Sequence, residues 1–206
     1  MIKPGKNFII RQILHSYVTW IVNHHFHELK FDPIEINPNR SILLIANHFS
    51  FWDSLILFIV CRKLVKKNFY VMAREDTTVK FQYVKYGGAF SINKQSRDML
   101  ESLDYAAELL DDPKNLVLIF PQGKLYSNFV NTIQFEKGIT RVIEKADGKF
   151  QLLFAATFVQ YLKHKKPTAT VYLKTEPSFS KSFEDLKNAY QMHYDNAKLQ
   201  QTEIVI

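Results

Sequence analysis

The sequence contains a single cysteine, Cys61, among its 206 residues, so no disulfide can form within the chain. A lone thiol is typical of a protein that works in a reducing compartment such as the cytosol. Glycine is also scarce, at 6 residues. No apolar run reaches the length of about 18 residues that a simple membrane-spanning helix needs. The most apolar early segment, residues 8–22, is interrupted by polar residues and lacks a small-residue cleavage site, so we expect no signal peptide.

Acidic residues are outnumbered, with 20 Asp and Glu against 27 Lys and Arg, and the net charge is +7. This imbalance favours an anionic partner, either a nucleic acid or an acidic membrane surface. The basic residues are scattered along the chain, whereas nucleic-acid-binding domains usually gather them on one helix or loop. We therefore expect a membrane lipid surface and no nucleic acid. The apolar content of 47% excludes a disordered chain.

The first 30 residues predict an amphipathic helix. Its apolar side carries Ile13, Tyr17 and Trp20, and its start is basic. One interpretation is that the apolar side packs against the rest of the protein, as in most amphipathic helices. The other is that this side lies in a membrane interface, with these three residues in contact with lipid. The pattern alone leaves both open, and one helix can serve both purposes.

Short apolar runs and helical patterns alternate through residues 31–206. Residues 41–46, 68–73 and 116–120 predict buried strands, and the segments between them are typical of helices. This alternation predicts a single α/β domain with a mixed, largely parallel sheet flanked by helices, preceded by the N-terminal amphipathic helix.

Residues 47–54 (NHFSFWDS) follow a predicted buried strand and precede an apolar helix. In open α/β sheets, ligands bind at the carboxyl ends of the strands. A tight turn there can place the Asp53 carboxylate beside the His48 imidazole, which fixes the ring tautomer and leaves the other nitrogen free as a general base. The alternative is that Asp53 only caps the following helix.

Four ordered elements make the chain resemble the glycerolipid acyltransferase family, of the lysophosphatidic acid acyltransferase type. They are Asn47-His48-x₄-Asp53, Gly88 to Lys94 (GAFSINK), Phe120 to Leu125 (FPQGKL) and Phe135 to Gly138 (FEKG), and they span roughly residues 40–160. The resemblance implies catalysis by His48 and Asp53. It also implies substrate binding by a set of residues in these elements: Asn47, Gly88, Asn93, Lys94, Pro121, Gln122, Gly123 and Lys124.

The resemblance further implies a peripheral enzyme on the cytoplasmic face of the cell membrane. It implies acyl transfer from acyl-CoA or acyl carrier protein to a lysolipid acceptor, with no metal and no organic cofactor. Backbone N–H groups near Gly123 are candidates for holding the oxyanion of the tetrahedral intermediate. The adjacent His24, His25 and His27 do not have the ligand spacing of a metal site.

Several positions depart from the family pattern. Lys94 stands where Arg is usual, Gln122 replaces Glu, and Lys124-Leu125 replaces Thr-Arg. The late strand at residues 153–157 also lacks the family's proline. A Lys offers a phosphate only a point charge in place of the bidentate fork of Arg. Two alternatives follow: the same chemistry on another acceptor, such as a lyso-aminolipid or glycolipid, or a catalytically inactive lipid-binding relative.

Overall fold

Seven strands form one sheet in the computed structural model, which describes residues 1–93, 98–176 and 182–205. The strands are β1 (Glu28–Phe31), β2 (Ser41–Ala46), β3 (Asn68–Arg74), β4 (Ala89–Ile92), β5 (Asn115–Ile119), β6 (Phe150–Gln160) and β7 (Thr168–Glu176). Their spatial order is β1-β7-β6-β2-β5-β3-β4. Neighbours from β6 to β4 run parallel, whereas β7 is antiparallel to β6 and parallel to β1. The predicted α/β class with a mixed, mostly parallel sheet is confirmed.

Helices cover both faces of this sheet. They are α1 (Phe8–His25), α2 (Asp53–Leu64), α3 (Glu75–Lys80), α4 (Asp98–Leu109), α5 (Gly138–Ala146) and α6 (Phe183–Thr202), with a 3₁₀ helix at Gln82–Gly87. Helices α1 and α2 share one apolar cluster with the sheet, and α4, α5 and α6 share the other. Burial on both faces explains why the central strands are nearly continuous apolar runs.

Strand β2 shows how one apolar run serves two cores. Because successive side chains point to opposite faces, Ile42 and Leu44 pack toward α1 and α2, whereas Leu43 and Ile45 pack toward α4, α5 and α6. All four side chains are fully buried. The run therefore fixes β2 in the middle of the sheet, between β5 and β6.

Helix α1 lies against the protein with only two buried residues, Val18 and Val22. His15, on the same inward side, contacts the Phe58 ring of α2 at 4.7 Å between centroids. Burial, followed by the nearby charges of Arg11 and Arg62, lowers the pKa of His15 to about 4. A large part of the apolar side of α1 points away from the core.

The outward side of α1 carries five large apolar side chains that are 50–69% exposed: Phe8, Ile9, Ile13, Tyr17 and Trp20. Within the described part of the chain, no helix combines the length and the apolarity that crossing a bilayer requires.

Candidate active site

The carboxyl ends of β2 and β5 bring two of the sequence motifs side by side. Ile45 pairs with Ile119 in the parallel ladder, so His48 and Gln122 each lie three residues beyond this pair. The His48 N–H donates to Gln122 Oε1 at 2.7 Å, which joins the two loops directly. The first and third motifs therefore form one site at the carboxyl edge of the sheet, as the position of ligand sites in open α/β sheets predicts.

The turn between β2 and α2 places Asp53 against His48. The distance from His48 Nδ1 to Asp53 Oδ2 is 2.8 Å. The same Oδ2 accepts the N–H groups of Phe49 and Ser50, at 2.7 and 2.9 Å, and Oδ1 accepts the Ser50 hydroxyl at 2.9 Å. Asp53 is completely buried, and these four donors compensate its carboxylate for the loss of water.

This hydrogen-bond pattern determines which nitrogen of His48 can accept a proton. An ionised carboxylate only accepts hydrogen bonds, so the proton of a neutral His48 lies on Nδ1 and the lone pair on Nε2. The His48 side chain is 25% exposed, whereas Asp53 is inaccessible to solvent. The arrangement is that of a general base with an orienting carboxylate. Asp53 is the first residue of α2, but its carboxylate accepts only from residues 48–50 and forms no cap bond to the helix, so the interpretation that Asp53 only caps α2 is wrong.

The imidazole of His48 is fixed from a second direction by Phe120. The two rings stack with centroids 4.1 Å apart and planes 15° from parallel. Phe120 follows β5 directly, so the same strand supplies both the stacking ring and Gln122. Gln122 is buried at 2% exposure, and its carbonyl oxygen is used by the His48 backbone. Gln122 thus supports the loop that carries the histidine.

Asn47 and Tyr190 attach the base of the site to strand β6. Asn47 Nδ2 donates to Thr157 O at 3.0 Å, and Asn47 Oδ1 accepts the Thr157 N–H at 2.8 Å. The Tyr190 hydroxyl of α6 donates to Ala155 O at 2.8 Å. Burial raises the pKa of Tyr190 well above its usual value, so the hydroxyl stays protonated as a donor. These contacts hold the residue next to His48 in place.

The loop after β5 is a tight turn. Gly123 has φ of +64°, and its N–H donates to Phe120 O at 3.1 Å. The Pro121 carbonyl accepts the Glu136 N–H at 2.8 Å, so the loop is tied to the element at residues 135–138. Because the Gly123 N–H is already used in the turn, it is not available to an oxyanion in this conformation. Lys124 is exposed, with its Nζ 5.3 Å from the centroid of the Tyr126 ring.

The residues of the second motif lie at the two opposite ends of strand β4. Ile92 pairs with Arg74 at the carboxyl ends of β4 and β3, and Asn93 follows immediately. Asn93 Nδ2 donates to Glu75 Oε2 at 2.6 Å. Lys94 lies outside the described residues.

Gly88, at the other end of this motif, stands four residues before Ile92 and therefore roughly 13 Å from that edge. It has φ of +96°, and a Cβ there would be 2.0 Å from Phe69 O, so the backbone itself requires glycine.

The three residues expected to contact lipid, Ile13, Tyr17 and Trp20, are 65%, 50% and 59% exposed on α1. A series of ring contacts leads from this surface to the turn of His48. Trp20 stacks on His24 at 5.4 Å, His24 contacts His25 at 5.2 Å, and His25 contacts Trp52 at 5.0 Å. The exposed side of α1 is thus continuous with residues 49–52.

Sequence patterns did not identify several residues that hold the site together. Ser50 and Phe120 act through contacts with Asp53 and His48, and Thr157 and Tyr190 lie more than 100 residues further along the chain. Ser50 and Phe120 lie within the first and third motifs, but the patterns assigned them no role. Among residues 1–93, 98–176 and 182–205, no cluster of three or more His, Cys, Asp or Glu is placed to bind a metal ion.

Comparison with known proteins agrees with this geometry. A family model described as Acyltransferase matches residues 28–159, which include the turn of His48 and the loop after β5. A search of curated proteins finds no match.

Proposed function

The chain belongs to the acyltransferase family, and from that premise we propose that it is a membrane-peripheral O-acyltransferase. It transfers a fatty acyl group from a thioester, acyl-CoA or acyl carrier protein, to a hydroxyl of a lysophospholipid. The observation that carries this proposal is the 2.8 Å contact between His48 Nδ1 and Asp53 Oδ2 at the carboxyl edge of the sheet. The thioester already activates the acyl group, so the proposed reaction needs no metal or organic cofactor.

In the proposed mechanism, His48 Nε2 removes the proton of the acceptor hydroxyl while its oxygen attacks the thioester carbonyl. Asp53 holds the imidazole in position and stabilises the imidazolium that forms. The tetrahedral intermediate collapses with cleavage of the C–S bond, and the leaving thiolate takes the proton from His48. The Lys124 N–H has no hydrogen-bond partner among the described residues, which makes it a candidate oxyanion donor next to the turn.

We propose that a phosphate on the acceptor is bound by the basic side chains of Lys124 and Lys94. Lys124 follows the turn after β5, and Lys94 follows Asn93 at the end of β4 in the sequence. Two lysines supply charge to a phosphate without the bidentate geometry of arginine. This reasoning supports a lysophospholipid acceptor such as a 1-acylglycerol 3-phosphate.

A second acceptor class is supported by the acidic groups around Asn93. Glu75 Oε2 accepts from Asn93 at 2.6 Å, and Arg74 is already paired with Asp76 at 2.7 Å. Leu125, where the family has arginine, is 55% exposed. These features support the alternative acceptor class, a lyso-aminolipid or glycolipid, with the same chemistry at His48.

Peripheral attachment to the cytoplasmic face of the cell membrane is supported by α1. Residues 1–30 are proposed as the docking segment and residues 31–206 as the acyltransferase domain. The apolar outward side of α1 is flanked by basic residues, and the chain carries a net charge of +7. An interfacial helix combines apolar burial with attraction to anionic headgroups in this way. The aromatic contacts from Trp20 to Trp52 bring the catalytic turn close to the same surface.

The proposal is tested with purified protein, labelled acyl-CoA or acyl carrier protein, and vesicles that contain one lysolipid at a time. We expect acyl transfer by the wild-type protein, and a His48→Ala variant slower by roughly 10²–10⁴-fold, the usual contribution of a general base. His164→Ala is the matched control, because His164 is a partly exposed histidine that lies outside the site. Circular dichroism verifies that both variants are folded.

The results of this experiment distinguish the two acceptor classes, test the assignment of His48 as the base, and separate an enzyme from an inactive relative. Preference for lysophosphatidic acid supports the phosphate acceptor, and preference for a lyso-aminolipid or glycolipid supports the second class. Full activity of His48→Ala would show that the base is assigned to the wrong residue. Lipid binding by the wild-type protein without transfer from either donor would identify an inactive relative and reject the enzymatic proposal.

A further inference from the structure

A cavity of about 270 Å³ lies at the edge of the sheet, next to the amino ends of β3 and β4. Its walls come from the N-terminal segment, α1, β3, the end of the 3₁₀ helix and α4. The lining residues are Pro4, Gly5, Lys6, Arg11, Phe69, Tyr70, Tyr86, Gly88 and Tyr105.

The ladder register separates this cavity from the acyl-transfer site. Tyr70 pairs with Val117, whereas His48 lies beyond the carboxyl end of β2, two strands away from β3. None of the residues that contact His48 lines the cavity. The cavity therefore has no part in the mechanism proposed for His48.

Basic side chains dominate the charge of the cavity. Lys6 and Arg11 line it, and Lys3 Nζ lies 5.3 Å from the Tyr105 ring centroid. Among the described residues, none of these three cations forms a salt bridge. Arg11 makes one long hydrogen bond, from Nη2 to Asn68 Oδ1 at 3.4 Å, which leaves most of its N–H groups free. Besides burial, the Glu108 carboxylate is close enough to Tyr105 to raise the pKa of its hydroxyl, so one acidic group lies near these cations.

The N-terminal segment that carries two of these cations is fixed in place. The Ile2 N–H donates to Ser91 Oγ at 2.7 Å, and the Gly5 N–H donates to Lys85 O at 2.9 Å. A Cβ on Gly5 would be 2.4 Å from the Tyr86 ring, so the backbone lies flat against that tyrosine. Lys3 and Lys6 are thus held at the rim by backbone contacts on both sides.

Tyrosine hydroxyls add neutral donors to the cations. Tyr70, Tyr86 and Tyr105 all line the cavity. Burial raises the pKa of Tyr105, so its hydroxyl remains a hydrogen-bond donor at neutral pH. A forked guanidinium, two ammonium groups and hydroxyl donors form a donor set that suits a phosphate group.

We propose that this cavity binds the phosphate group of a small ligand through Arg11, Lys6 and Lys3. Its volume of about 270 Å³ leaves space beside a phosphate for part of the group that carries it. Two sources share this chemistry. One is a soluble phosphate monoester. The other is the headgroup of an anionic phospholipid, since Arg11 lies on the same helix as the exposed apolar side chains proposed to contact the membrane.

The test compares charge-conserving variants of the full chain. Arg11→Lys keeps the charge and removes the forked guanidinium, and Arg62→Lys on α2 is the matched control outside the cavity.

Calorimetry with glycerol 3-phosphate measures binding of a soluble phosphate monoester. Flotation with vesicles containing phosphatidic acid, compared with oleate vesicles of equal surface charge, probes the lipid source. We expect Arg11→Lys to weaken phosphate binding by roughly fivefold or more, whereas Arg62→Lys leaves it unchanged.

Saturable binding of glycerol 3-phosphate that depends on Arg11 supports the soluble source. Preference for phosphatidic acid over oleate that disappears in Arg11→Lys supports the lipid source. Binding that is absent in both arms, or that is equally strong in Arg11→Lys, overturns the proposal. Neither arm measures acyl transfer, so these outcomes are independent of the function proposed for His48.

Discussion

The two terminal helices have similar lengths and opposite relations to the protein. Helix α6 buries six residues, among them Tyr190 and Tyr194, and of its large apolar side chains only Met192 and Leu199 are exposed. Helix α1 buries only Val18 and Val22 and exposes five large apolar side chains. Single apolar residues scattered over a surface are normal. A contiguous exposed apolar patch, in contrast, is typical of an interaction site. The comparison shows that α6 belongs to the core, whereas α1 leaves an apolar side exposed, and this side is the proposed docking surface.

The largest expected difference between the helices is in stability. Tyr190→Ala removes a fully buried ring and should lower the free energy of unfolding by roughly 3–5 kcal/mol. Trp20→Ala removes a ring that is 59% exposed and should change it by no more than about 0.5 kcal/mol. Denaturant unfolding measures both. If Tyr190→Ala does not fold, Tyr190→Phe, which loses only the bond to Ala155 O, should cost roughly 0.5–1.5 kcal/mol. Equal losses in Trp20→Ala and Tyr190→Ala would contradict the comparison.

The second difference concerns membranes. A double variant of α1, Ile13→Ser with Trp20→Ser, removes two exposed apolar side chains and should weaken binding to anionic vesicles by roughly tenfold or more. Met192→Ser with Leu199→Ser on α6 is the matched control, because these residues are 62% and 59% exposed on the other helix. Sedimentation with vesicles measures the effect. If both pairs bind as the wild type does, α1 is not the docking surface.

The third expected effect is the response to acid, in which the two helices agree, because burial lowers the pKa of His15 on α1 to about 4 as it does that of His193 on α6. Burial lowers the pKa of His193 on α6 to about 4, and its Nε2 contacts Tyr172 O at 3.1 Å. The folded state therefore disfavours the charged ring, and this contribution to stability is complete above the unfolded pKa of 6.5 and lost as the pH falls toward 4. Between pH 7 and pH 5 we expect a loss on the order of 1–2 kcal/mol.

His193→Gln should reduce the loss of stability in acid, because glutamine does not titrate and the folded state no longer disfavours a charged ring at this position. Unfolding curves recorded at both pH values provide the measurement. An unchanged pH dependence in His193→Gln would show that other groups cause the loss.

Local patterns predicted much of the fold because the central strands are buried on both faces. Residues 41–46 form a strand with the predicted bounds, and β3 and β5 differ from the predicted strands at 68–73 and 116–120 by no more than one residue at either end. Strand β1 was missed, because four residues of alternating exposure at an edge give only a weak apolar signal. Helix α3 was missed as well, since five of its six residues are polar and a single valine gives no apolar periodicity.

The candidate site was only partly predictable, because some of its contacts join neighbouring residues and others join segments that are far apart in the chain. His48 and Asp53 are five residues apart, so a single turn can bring them together, but the spacing alone left helix capping open and the resemblance to the acyltransferase family favoured the pair. Substrate binding by Gln122 stays a prediction, and the sequence did not indicate that its side chain accepts the His48 N–H. The contribution of Tyr190 depends on how α6 packs below β6, and no local pattern encodes that contact.

The sequence by itself determined the α/β class, the buried strands and the pairing of imidazole with carboxylate, because each depends on neighbours within a few residues. Only the tertiary structure decided which side of α1 faces outward, that the Gly123 amide is used in its own turn, and that Arg11 and the tyrosines surround one cavity. These features depend on packing between segments that are far apart in the chain, where the geometry of the sheet and not the local pattern sets which groups meet.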